Sequence, residues 1–209
     1  VKIFSIAILL FLSLPIFSQD HLYPEDSIYG SGISSIEYHQ YVTKAFHVAF
    51  SRDVILKVFV IPSFYPESVL YIEKSADSYY VSYLEAETRY WTVDREEYQP
   101  NPIKKCRTVL SKLVVDNIEN VWINELSKTR HAKRFNLGED GTSYHFSASL
   151  KWLSSKQLPR PPMAGQTMSP EKESRMGKLV NLISVIKGYC LSPNSEEIIQ
   201  QSINKLADK

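Results

Sequence analysis

Two cysteines, seven glycines and one long uncharged apolar stretch are all that this 209-residue chain has of three features that commonly announce a function. The cysteines lack zinc-ligand spacing, and the five histidines form no His-Glu-x-x-His or His-x-x-x-His pattern, so a metal centre could arise only by long-range assembly. His21 and His39 fall in a polar N-terminal segment and His47 in a β-like run, where surface or satisfied-core roles suffice. There is no Gly-x-Ser-x-Gly elbow, and Ser63 stands between Pro62 and Pro66, where turn chemistry accounts for it. Gly165 is the only glycine of Gly165-Gln166-Thr167-Met168, so that segment cannot cradle a phosphate. These residues imply no cofactor.

A charge of one predominant sign is also missing. The formal net charge is +1, which gives no reason to expect nucleic acid as a partner. The distribution is less even. Residues 19–103 carry thirteen acidic and six basic groups, whereas residues 104–191 carry seven acidic and fifteen basic. Two halves that attract one another within a single fold account for this more simply than a nucleic-acid surface does.

The apolar stretch lies at the start of the chain. Lys2, an uncharged run from Ile3 to Phe17 interrupted by Pro15, and Ser18 before Gln19-Asp20 read as a bacterial-type secretory signal. The run is short for a bilayer span, and cleavage after Ser18 is expected. The bulk of Ile16, three residues before the cut, leaves an uncleaved membrane anchor as the alternative. A lipoprotein does not fit, because the first cysteine is Cys106. The expected location is therefore periplasmic or secreted, with membrane contact only through residues 1–18 if they are retained. An oxidising compartment makes Cys106 and Cys190 a candidate disulfide, two buried thiols being the other arrangement.

The remaining length suits one domain. Residues 19–42 are polar and turn-rich and predict an arm carrying little core, ahead of a single globular domain over 43–209. Short β-branched and aromatic runs predict strands at Phe46–Phe50, Val54–Ile61, Val69–Ile72 and Tyr79–Leu84, with a hairpin through Lys74 to Ser78. A surface loop is expected over Asp94–Pro102. Apolar residues then recur at three and four positions from Leu110 to Leu126, predicting a helix over about Ser111–Lys128, with Asn117 and Glu125 interrupting its stripe. A strand over Thr142–Ser149 follows the turn signal Asp140-Gly141, and a Pro-rich loop is expected over Leu153–Met168. Ser169-Pro170-Glu171 has the form of a helix start for a helix reaching about Tyr189, and Ser195 would cap a last helix over Glu196–Ala207. Strands grouped ahead of helices predict an α+β fold, an antiparallel sheet of about four to five strands with two or three helices packed on one face.

Titratable groups concentrate between His131 and His145, including Lys133, Arg134, Glu139 and Asp140. Folding of that segment onto its strand could bring a histidine and a carboxylate together for general acid–base work, which makes His131, Asp140 and His145 the weak catalytic candidates of a secreted hydrolase. A solvated helix end followed by a polar turn explains the same residues. Thirteen tyrosines, eleven of them before residue 100, could offer rings to a ligand, although strand propensity enriches them equally well. The expected function is a non-enzymatic binding, accessory or immunity-type protein of the bacterial cell envelope. Its sheet face and Pro-rich loop would meet a protein or glycan partner.

Overall fold

The structure is a computed structural model that describes residues 20–24, 33–90, 103–131, 141–149 and 163–207. Its strands are β1 (Val54–Pro62), β2 (Ser68–Ser75), β3 (Ser78–Ala86), β4 (Ile103–Leu110), β5 (Thr142–Ala148) and β6 (Met163–Met168). Its helices are α1 (Ile33–Ala45), α2 (Lys112–Ser127), α3 (Arg175–Leu191) and α4 (Glu197–Ala207). The strands form one antiparallel sheet in the order β4-β3-β2-β1-β5-β6. The α+β class is as the sequence predicts, with six strands instead of four or five.

Alternation along the strands divides the core in two. Val58, Leu70, Ile72, Val81 and Phe146 face α2, α3 and α4 in the main core, where Trp122 of α2 meets the Phe146 ring edge to face at 5.2 Å. Val69, Tyr71, Leu84 and Ala86 face the opposite way. They pack under Val42, Phe46 and Ala49, which α1 and the 3-10 turn His47–Phe50 carry. A helix on the second face is one more than expected. Residues 42, 46 and 49 recur at four and three, so Phe46–Phe50 continues a helical stripe instead of forming the expected strand.

The two edge strands are the elements that the sequence hid. β4 reads Ile103-Lys104-Lys105-Cys106-Arg107-Thr108-Val109-Leu110, with basic side chains on both faces, and β6 occupies the end of the segment expected as the loop Leu153–Met168. Residues 153–162 of that loop, the signal segment 1–18, the whole of the loop over 94–102 and Asp140 lie outside the described residues. The segment expected as an arm also differs. Leu22 is 0% exposed in the main core, and Gly165 allows the approach, since a Cβ there would stand 3.0 Å from Leu22 Cβ.

Helix starts follow local chemistry with one correction. Ser111 caps α2 by accepting from Val114 N–H, and its own N–H and hydroxyl go to the Glu196 carboxylate at the foot of α4. The cap of α3 is Ser174 instead of Ser169. Ser169 instead closes the β5–β6 ladder, its Oγ accepting from Thr142 N–H and its N–H donating to Thr142 O. On α2, Leu113 is 69% exposed and Val115 takes its place in the core, while the interrupting Asn117 donates to Gln200 of α4 at 2.8 Å.

Candidate binding surface

Among the described residues, two polar arrangements are internal ties and a third is open to solvent. Glu125 is 0% exposed at the end of α2 and receives two hydrogen bonds from Arg175, Nε to Oε2 at 2.9 Å and an NH2 to Oε1 at 2.7 Å. Lys128 Nζ stands 3.3 Å from Oε1. Burial raises the Glu125 pKa, but the bonds and charges of Arg175 and Lys128 outweigh it and hold the carboxyl below its ordinary value. The pair joins α2 to the first turn of α3.

Glu67, just before β2, is likewise buried. It accepts from Tyr38 Oη of α1 at 2.7 Å and from Tyr90 N–H at 2.9 Å. Burial, and then the neighbouring Glu67, pushes the Tyr38 phenol far up, so the hydroxyl stays a donor. This carboxylate fastens α1 over the second face of the sheet. Glu67 and Glu125 are thus both engaged in holding helices.

The weak catalytic candidates do not assemble in the described residues. His131 is exposed just beyond α2, and its neighbour Arg130 donates its main-chain N–H to Leu22 O, which places this stretch outside β6. His145 is buried in β5, inside β6, on the second face between Phe59 and Gln166 in register. Among the described residues no group of three or more His, Cys, Asp or Glu could hold a metal ion.

The third arrangement lies where α1 does not reach. On the second face, Arg107 of β4 stands beside Ser82 of β3, and Tyr80 beside Val109. The Arg107 guanidinium lies 3.5 Å over the Tyr80 ring, and its Nε donates to Glu73 of β2 at 2.8 Å. A ring below and a carboxylate beside hold this cation in one orientation while leaving it half open to solvent. Lys105 and Val109 flank it on the same face, both exposed. The other strand tyrosines serve the core: Tyr71 and Tyr83 are buried, and burial raises both phenols.

The main chain of β4 completes the surface. Ala86 N–H donates to Glu67 O, so even-numbered residues of β3 turn their main-chain groups towards β2 and odd-numbered ones towards β4. The register pairs Tyr83 with Cys106 and Val81 with Thr108. Lys105 and Arg107, which alternate with these, therefore direct both N–H and C=O away from the sheet. Val109 O points the same way and accepts from Tyr189 Oη of α3 at 3.2 Å. At the opposite edge Tyr23 exchanges two 2.8 Å hydrogen bonds with Gln166, and Gln166 Nε2 donates to Pro24 O at 2.8 Å. One edge is thus covered at its middle by the chain itself, and no described strand pairs with the other.

The β4 edge is fixed in place. Cys106 and Cys190 form a disulfide with Cα atoms 5.9 Å apart, and Thr108 Oγ1 donates to Cys190 O at 3.2 Å. Sequence reasoning found the cysteine pair and missed the strand that it clamps. A second exposed feature, Phe64 and Tyr65, sits at the β1–β2 turn, where Ser63 is tied to Gly141 by three hydrogen bonds. No family model, curated protein or solved structure matches this chain.

Proposed function

We propose that this chain is an exported, non-enzymatic binding or accessory protein of the bacterial cell envelope, the class to which periplasmic immunity and inhibitor proteins belong. Its partner surface is the β4 side of the second sheet face. The observation that carries the reading is the contrast between the two sheet edges. An unpaired edge exposes main-chain hydrogen-bonding groups and risks aggregation unless it is guarded or used. Here the edge that no described strand pairs with is the one locked by the Cys106–Cys190 bridge, and it carries an oriented cation. The disulfide suits an oxidising compartment, and the signal-like segment 1–18 supplies the route. No helix among the described residues is long and apolar enough to cross a membrane. The hydrolase alternative gains no supporting geometry from His131 and His145.

Capture from envelope extract under gentle crosslinking, with the oxidised chain from Gln19 onwards as bait, tests the reading. The expected result is a partner enriched on this bait and lost when Lys105 and Arg107 are both changed to Glu. A bait that enriches nothing, or one whose partner is indifferent to the β4 side chains, contradicts the reading of this surface.

A further inference from the structure

We propose that the β4 edge receives an extended, acidic segment of a partner protein as a seventh strand of the sheet. The inference rests on the binding-protein reading and specifies its recognition chemistry. Strand addition needs free main-chain donors and acceptors at every second residue and side chains that discriminate at the same spacing. Lys105 and Arg107 offer both. Their N–H and C=O groups face outward and have no partner among the described residues, and their side chains stand exposed on one face, with Val109 next in the row.

The template is already ordered. β4 pairs with β3 over eight consecutive residues without a bulge. The disulfide, the Thr108 bond to Cys190 and the Tyr189 bond to Val109 anchor it to α3. A partner strand therefore meets a rigid edge, which lowers the ordering cost on this side of the interface.

Charge selects the occupant. In a pair of β4 strands from two copies of the chain, Lys105 and Arg107 would face their own counterparts, and like charges directly opposite one another destabilise a sheet. The basic residues that guard the edge against self-pairing leave it open to carboxylates. Glu73 engages only Nε of Arg107, so the remaining guanidinium N–H groups are available to a carboxylate from the incoming strand. Two acidic residues separated by one position match the Lys105–Arg107 spacing, and an apolar residue two further on would lie against Val109.

The probe is a ten-residue synthetic peptide carrying glutamate, glutamate and valine at alternate positions with threonine between them. Its binding to the oxidised full chain is read by fluorescence anisotropy and by amide hydrogen exchange. Three comparisons accompany it: the same peptide with lysine for glutamate, the same peptide N-methylated at alternate main-chain amides, and the chain carrying Lys105→Glu and Arg107→Glu. We expect the glutamate peptide to bind and to slow exchange at the Lys105 and Arg107 amides. Each of the three changes should weaken binding roughly tenfold or more. Equal binding of the N-methylated peptide would show charge attraction without strand pairing and would overturn the proposal, as would preference for the lysine peptide. Exchange protection of β4 that rises with protein concentration alone would assign the edge to a second copy and also overturn it. If no peptide binds while an envelope partner is still captured, the strand mechanism fails and the binding reading stands; if capture fails as well, both fall.

Discussion

Removing Arg175 tests the internal electrostatics of the fold, because it leaves the fully buried Glu125 carboxylate without its main partner. Breaking a buried pair from one side costs about 3–5 kcal/mol, since the remaining charge stays desolvated. For Arg175→Met the lower end applies, about 3 kcal/mol, because Lys128 remains 3.3 Å from Oε1 and the Arg175 side chain is itself partly solvent-exposed. With a urea m-value near 2 kcal/mol/M, the unfolding midpoint should fall by about 1.5 M. Trp122, buried one turn before Glu125, provides the fluorescence signal. The pH dependence separates this account from a mere packing loss. In the native chain the Glu125 pKa is held below its unfolded value, so the pair stabilises above about pH 4, and that contribution is lost as pH falls through the folded pKa. In the variant the balance tips to burial and the pKa rises above the unfolded value. The stability deficit should then be largest at pH 7 and shrink towards pH 4.5. A deficit under about 0.5 kcal/mol, or one constant across that range, would refute the reasoning.

Two further perturbations follow from packing and covalent structure. A Cβ at Gly177 would stand 2.0 Å from Glu171 O and one at Gly188 would meet nothing within 4 Å, so the two Gly→Ala changes on α3 should act in opposite directions. Thermal unfolding should show Gly177→Ala destabilised by about 1–3 kcal/mol and Gly188→Ala stabilised by about 0.5–1 kcal/mol. Reduction of Cys106–Cys190 opens a loop of 84 residues, worth about 4–5 kcal/mol in the chain-entropy model. Urea unfolding with and without reductant measures that loss; an unchanged midpoint would show that the bridge adds nothing.

The sequence was most readable where burial repeats with a period. The central strands β1, β3 and β5 and the helix α2 alternate or recur strongly enough to be placed within a residue or two, β2 runs three residues past its expected end to Ser75, and the hairpin at Ala76-Asp77 was evident from its length. Edges escaped for a physical reason. β4 has little to bury on its second face and carries Lys104, Lys105 and Arg107, while β6 is short and contains one β-branched residue, Thr167. The surface proposed for binding therefore sits on an element that pattern could not announce. Its cysteine was the one available signal, since Cys106 must lie close to another ordered element if it is bridged. Ser169 misled because a serine before Pro170 has the form of a cap, yet its hydroxyl was taken by the Thr142 amide of the strand ladder.

The central claim is an exported chain whose β4 edge is fixed by a disulfide and open to a partner, and isolation of the native protein tests its premise most directly. The chain is recovered from the producing cell, alkylated without reductant, and its mass and N-terminal residue are determined by fraction. The account predicts a periplasmic or secreted species beginning at Gln19 with neither cysteine alkylated. A cytoplasmic species retaining residues 1–18, with Cys106 and Cys190 both alkylated, would contradict it.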